Sequence, residues 1–103
     1  MKTFEPKTLH AIRNAIPIDK LIASLNLHHK HREGFLRFLC PSCSEMNSAI
    51  NPRTNLARCF TCQRNFNTIE LTMAANKVNF KQAVHALLHL FRWCIANILQ
   101  YIN

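Results

Sequence analysis

The chain has 103 residues, which suits one domain with a modest core and excludes two. Lys and Arg number 13 against 5 Asp and Glu, a formal net charge of +8, so a negative partner is expected, nucleic acid before an acidic membrane surface. Five cysteines and an N-terminus, "MKTFEPKTLHAIRN", without an apolar h-region argue against a secreted disulfide scaffold and predict a reducing, cytoplasmic setting.

In chain order, "PKTLHAIRNA" (6–15) reads as a short helix with Pro6 near its start. "PIDKLIASLNL" (17–27) is a second, with Ile18, Leu21, Ile22 and Leu25 at helical spacing. "HHKHREG" (28–34) breaks that periodicity, holds the only glycine, and is expected to be a polar loop with solvated imidazoles. Three short strands are then predicted: "FLRFL" (35–39), "SAIN" and "LARCF", the last two joined by a "PRTN" turn. "NTIELTMAA" (67–75) returns to helix, with Asn67 and Thr68 as candidate N-caps and Glu70 in the first turn.

Asn79 should cap a long last helix with an apolar face of Phe80, Val84, Leu87, Phe91, Cys94, Ile98 and Ile102. Its segment "AVHALLHLFRWCIANILQYI" is as long as a membrane span. However, His85, His89, Arg92, Asn97 and Gln100 form a polar stripe, so an amphipathic helix without membrane contact is expected. The paired histidines read as part of that stripe rather than as a metal site, and Cys94 reads as a buried thiol.

Cys40-x-x-Cys43 and Cys59-x-x-Cys62 are separated by fifteen residues. Each C-x-x-C can form a knuckle presenting two sulfurs to one ion, and the intervening loop lets the knuckles face each other. Four thiolates suit a tetrahedral Zn2+ and leave no open position for a substrate water, so the predicted site is structural. Iron binding or a redox pair is the alternative; the two-plus-two spacing favours zinc.

With these residues in place, the chain resembles the N-terminal zinc-binding domain of bacterial and phage DNA primases. Cys40-Pro41-Ser42-Cys43, the Asn51-Pro52 turn and Cys59-Phe60-Thr61-Cys62 stand where that family has its knuckles and proline turn. "NTIELTMAANKVNFKQAVHAL" is similar to the family's helix followed by Phe-x-x-Ala, and the likeness covers about residues 6 to 90, leaving 91–103 as an extension of the last helix. The family's second ligand is usually histidine, here Cys43; its Lys-Thr-Pro-Ser segment is shortened to "SEMN", and glycines around the second knuckle are replaced by Thr61, Arg64 and Asn65. The resemblance implies an α+β zinc ribbon, a small antiparallel sheet flanked by helices, that reads a DNA template.

A primase's polymerase domain needs paired carboxylates for magnesium, whereas Asp19, Glu5, Glu33, Glu45 and Glu70 are scattered. The expectation is a stand-alone recognition module, not an enzyme, serving replication or maintenance of a phage, plasmid or other mobile element. Lys30, Arg32, Arg37, Arg53, Arg58, Phe60 and Arg64 are the candidate contacts, with cations on phosphates and rings on bases of single-stranded DNA. Phe35, Phe38 and Phe60 are the interleaved rings, and Phe38 and Phe60 could equally pack the sheet onto the helices. A separate primase or helicase protein, or a second copy docked through the last helix, is the expected protein partner. The rival readings are an adaptor working through that helix and a transcriptional regulator on duplex DNA.

Overall fold

The computed structural model describes residues 5–102, with side chains for residues 5–92. Its elements are α1 (Pro6–Asn14), α2 (Ile18–Ser24), β1 (His29–Arg32), β2 (Phe35–Phe38), β3 (Ser48–Asn51), β4 (Leu56–Cys59), β5 (Asn65–Phe66), α3 (Thr68–Asn76) and α4 (Phe80–Ile102). The strands pair antiparallel with their sequence neighbours into one sheet of order β1-β2-β3-β4-β5. The class is α+β, as expected.

The sheet has five strands rather than three. Residues 29–32 form β1, although all four are exposed and carry no apolar alternation. The strand exists because Glu33 and Gly34, at φ 55° and 82°, make a two-residue turn whose backbone twist matches a hairpin. That turn pairs Arg32 with Phe35 and His29 with Phe38. β5 is two residues long and forms where the second knuckle brings the chain back, so that Asn65 and Phe66 pair with Arg58 and Ala57.

Side chains alternate across a strand, so the sheet has two faces. Leu36, Phe38, Ala57, Cys59 and Phe66 point inward and are buried together with Ile12, Ile16, Ile18, Leu21, Ile22, Leu71, Val84 and Leu87 of the helical layer. Helix starts carry their own chemistry. Asn67 and Glu70 form a reciprocal capping box on α3, and Asn79 and Gln82 exchange the same pair of bonds at the start of α4. The Thr68 hydroxyl donates to the Ile12 carbonyl at 2.8 Å and so ties α3 to α1.

Phe80 does not belong to the buried face of α4, being 44% exposed, while Ala83, Val84 and Leu87 carry that face. Cys94 and the other apolar residues expected beyond Arg92 lie outside the described side chains. Among the described residues no helix is long and apolar enough to cross a membrane.

One side chain joins the two layers at the end of the sheet away from the cysteines. Asn55, in the β3–β4 turn at φ 58°, donates through Nδ2 to the Arg13 and Ile16 carbonyls at 2.7 and 2.8 Å. Its Oδ1 accepts from the Ile18 N–H at 2.9 Å. Three backbone groups freed where α1 gives way to α2 thus find partners in one amide.

Candidate metal centre and nucleic-acid interface

The knuckles sit at the end of the sheet where β2 runs out and β4 ends in Cys59. Antiparallel pairing sets Cys59 beside Ser48 and brings the second knuckle alongside the first. All four sulfurs lie within 4.8 Å of one another. The Cys40–Cys62 and Cys43–Cys59 separations are 3.8 and 3.5 Å. Bonds of about 2.3 Å to a central zinc require sulfurs about 3.8 Å apart in a tetrahedron, so the cage fits the ion. A disulfide needs about 2 Å, and the four thiols are free. The site holds one Zn2+, as the spacing predicts.

Backbone amides prepare the sulfurs for that charge. The Ser42 N–H donates to Cys40 Sγ at 3.4 Å, and the Glu45 amide points at Cys43, those of Thr61 and Cys62 at Cys59, and that of Arg64 at Cys62. At Cys43 the Glu45 amide favours the thiolate, yet burial and the three neighbouring thiols push the group up to about 12. At Cys59 burial opposes ionisation, but the Cys62 amide, the Ser48 hydroxyl and the Cys43 thiol prevail and bring it down to about 6. Cys62 is raised, its Arg64 amide being outweighed by burial and by the Cys59 and Cys40 thiols.

The Ser48 hydroxyl is buried and, among the described residues, is the one such side-chain atom without a regular hydrogen bond. Its sulfur neighbour is the natural acceptor: a zinc-bound thiolate at Cys59 would accept a hydrogen bond from the hydroxyl, which fits an anionic site. Sequence inspection missed this residue. The signal was present in the register, two residues into "NSAIN" and opposite "ARC".

The outer face of the sheet is the other site. Lys30, Arg37, Ala49, Arg58 and Asn65 are direct partners strand by strand and form one row across all five strands. Arg37 and Arg58 therefore share a face, with the small Ala49 between them. Arg32 and Phe35 extend the same face toward the β1–β2 turn. The parity of β4 puts Leu56 and Phe60 there as well. Phe35 and Phe60 are 63% and 50% exposed, whereas Phe38 is fully buried.

Two hollows divide this face. Lys30, Arg32, Glu33, Phe35, Arg37 and Asn47 line a cationic one of about 350 Å³ over β1 and β2. Ala49, Thr54, Leu56, Arg58, Phe60 and Asn65 line a more apolar one of about 280 Å³ over β3–β5.

The remaining predicted contacts stand apart from the row. Arg53 is exposed in the β3–β4 turn, where its N–H donates to Asn51 Oδ1. Arg64 stacks over the Phe66 ring at 5.0 Å and donates to the Ser42 hydroxyl at 3.2 Å, so it bridges the two knuckles.

A profile of the CHC2 zinc finger family matches residues 4–99. A DNA primase of Streptomyces coelicolor is 30% identical over 79 residues, covering 75% of this chain but 12% of that protein. The matched part is thus the zinc-ribbon segment of a much longer relative.

Proposed function

The chain belongs to the CHC2 zinc finger family, and from that premise we propose that it is a zinc-stabilised module that binds single-stranded DNA on the outer face of its sheet. The row Lys30, Arg37, Ala49, Arg58 and Asn65 carries this reading, because it sets cations at sheet spacing between two exposed rings. Phosphates would lie over the cations, and bases would stack on Phe35 and Phe60, each worth about 1–3 kcal/mol. Arg53 and Arg64 would add charge at the margins. No reaction is assigned to the chain. Its role is template recognition in the cytoplasm, in replication or maintenance of a phage or other mobile element, with catalysis supplied by a separate primase or helicase protein.

The test is fluorescence anisotropy of the zinc-loaded protein with labelled single-stranded and duplex DNA of equal length across a salt series. Tighter single-strand binding is expected, with a log–log slope of about −0.7 per phosphate contacted. Loss of most binding in the Arg37→Ala, Arg58→Ala double variant would support the row as the contact surface. Equal or tighter duplex binding would favour a regulator instead. That reading is poorly supported, because α3 has no arginine and buries Thr68, Ile69, Leu71 and Thr72 rather than offering a helix to the major groove.

A second reading has one observation behind it. Lys7, Thr8, Ala11, Leu88, Phe91 and Arg92 line a hollow of about 330 Å³ between α1 and α4, with Leu88 and Phe91 only partly covered. An adaptor docking a partner protein or a second copy there would lose it when residues 91–103 are removed, whereas DNA affinity would survive.

A further inference from the structure

Binding to single strands does not by itself say whether the sheet distinguishes bases. The more apolar hollow over β3–β5 bears on that question through the way its amides are held. Arg58 Nη1 donates to Asn65 Oδ1 at 2.9 Å. A guanidinium has donors only, so Asn65 must turn its oxygen to Arg58 and its Nδ2 away. Asn51, at the same hollow, has its Oδ1 occupied by the Arg53 N–H at 3.0 Å, which leaves its Nδ2 as the free end. The Thr54 hydroxyl is directed to the Asn51 carbonyl at 3.5 Å.

The polar rim of this hollow therefore offers the unused N–H groups of Arg58 and two amide NH2 groups, with no carboxylate beside them. Its floor and walls are Ala49, Leu56 and Phe60. The adjoining cationic hollow can hold a phosphate while the small Ala49 leaves passage between the two. An apolar seat with a donor rim matches a base that shows two adjacent acceptors on one edge. Guanine does so at O6 and N7, and cytosine at N3 and O2. Adenine sets an amino donor beside N7, and thymine separates its two carbonyls by an N–H.

We infer that the β3–β5 hollow is a base-reading seat in which Arg58 and Asn65 select guanine or cytosine over adenine and thymine. The inference rests on the single-strand reading above, and the experiment separates the two. Labelled dT12 and its variants with one central G, C or A are titrated against the zinc-loaded protein and against Asn65→Leu and Arg58→Lys.

About tenfold tighter binding of the G or C oligonucleotide is expected, and which of the two prevails identifies the edge read. Asn65→Leu should bring the ratio of G or C affinity to dT12 affinity down to about one whatever it does to binding as a whole, and Arg58→Lys should lower that ratio with the charge retained. Circular dichroism and zinc content of both variants establish that they are folded. Equal affinity for all four oligonucleotides, a preference for A or T, or a preference unchanged in Asn65→Leu overturns the base-reading seat while leaving single-strand binding in place. Failure to bind any of them overturns the single-strand reading itself.

Discussion

The two ends of the sheet face the same difficulty and meet it differently. Strands of two to four residues cannot hold a sheet by themselves, so each end is fastened to something else. At one end the fastening is the zinc site of Cys40, Cys43, Cys59 and Cys62. At the other it is the Asn55 amide, which bonds to Arg13, Ile16 and Ile18 across the helix layer. The first depends on a ligand and can be undone by solution conditions. The second is built into the chain and needs no ligand.

The largest effect should come from breaking the metal end. Chelation of zinc, or Cys59→Ser, should abolish the cooperative thermal transition, because zinc–thiolate sites contribute about 10–16 kcal/mol near neutral pH. Acid should act in the same direction, since protons compete with zinc for the thiolates. A zinc-release titration should show the ion held at pH 7.5 and lost on acidification. A chain that kept its cooperative transition after metal removal would mean the sheet is held mainly by its core.

Breaking the other end should cost less and leave the metal alone. Asn55→Ala orphans three backbone groups and should lower stability by about 2–4 kcal/mol in chemical denaturation, with zinc stoichiometry unchanged. Asn55→Asp should be at least as harmful, because it presents a carboxylate to the carbonyls of Arg13 and Ile16. Zinc loss in either variant would show the ends to be coupled.

Two smaller changes sharpen the contrast. Ser48→Ala, beside Cys59, should weaken zinc affinity by about tenfold in a competition assay with little effect on the fold. Gly34→Ala should cost about 1 kcal/mol, since its φ is +82° while the added Cβ meets nothing within 4 Å. Its penalty is conformational alone and should leave zinc affinity untouched.

What was legible in the sequence follows from how local each feature is. The knuckles are defined within four residues each, so their ligands and metal could be read directly. The caps of α3 and α4 are three-residue relations and were equally plain at Asn67 and Asn79. β1 was not, because strand identity at "HKHR" comes from pairing across the Glu33–Gly34 turn and not from its own residues. Helical periodicity put Phe80 on the buried face of α4, but the capping turn at Asn79 leaves its ring at the margin. The fates of Phe38 and Phe60 turned on strand parity, which a register must be known to settle. Asn55 could be read only as a turn residue, since its partners lie 37 to 42 positions away.

The row from Lys30 to Asn65 also constrains how the chain can be assembled. Each strand contributes one polar or small residue to it, so the row exists in one alignment of the five strands. A slip of one residue that flips β2 or β4 against β3 would push Arg37 or Arg58 beneath the helices and turn Phe38 or Cys59 out to water. The mispaired chain would then lack a complete set of sulfurs for the ion. Metal capture thus acts as a proofreading step: only a chain whose strands have found their proper partners can close around zinc.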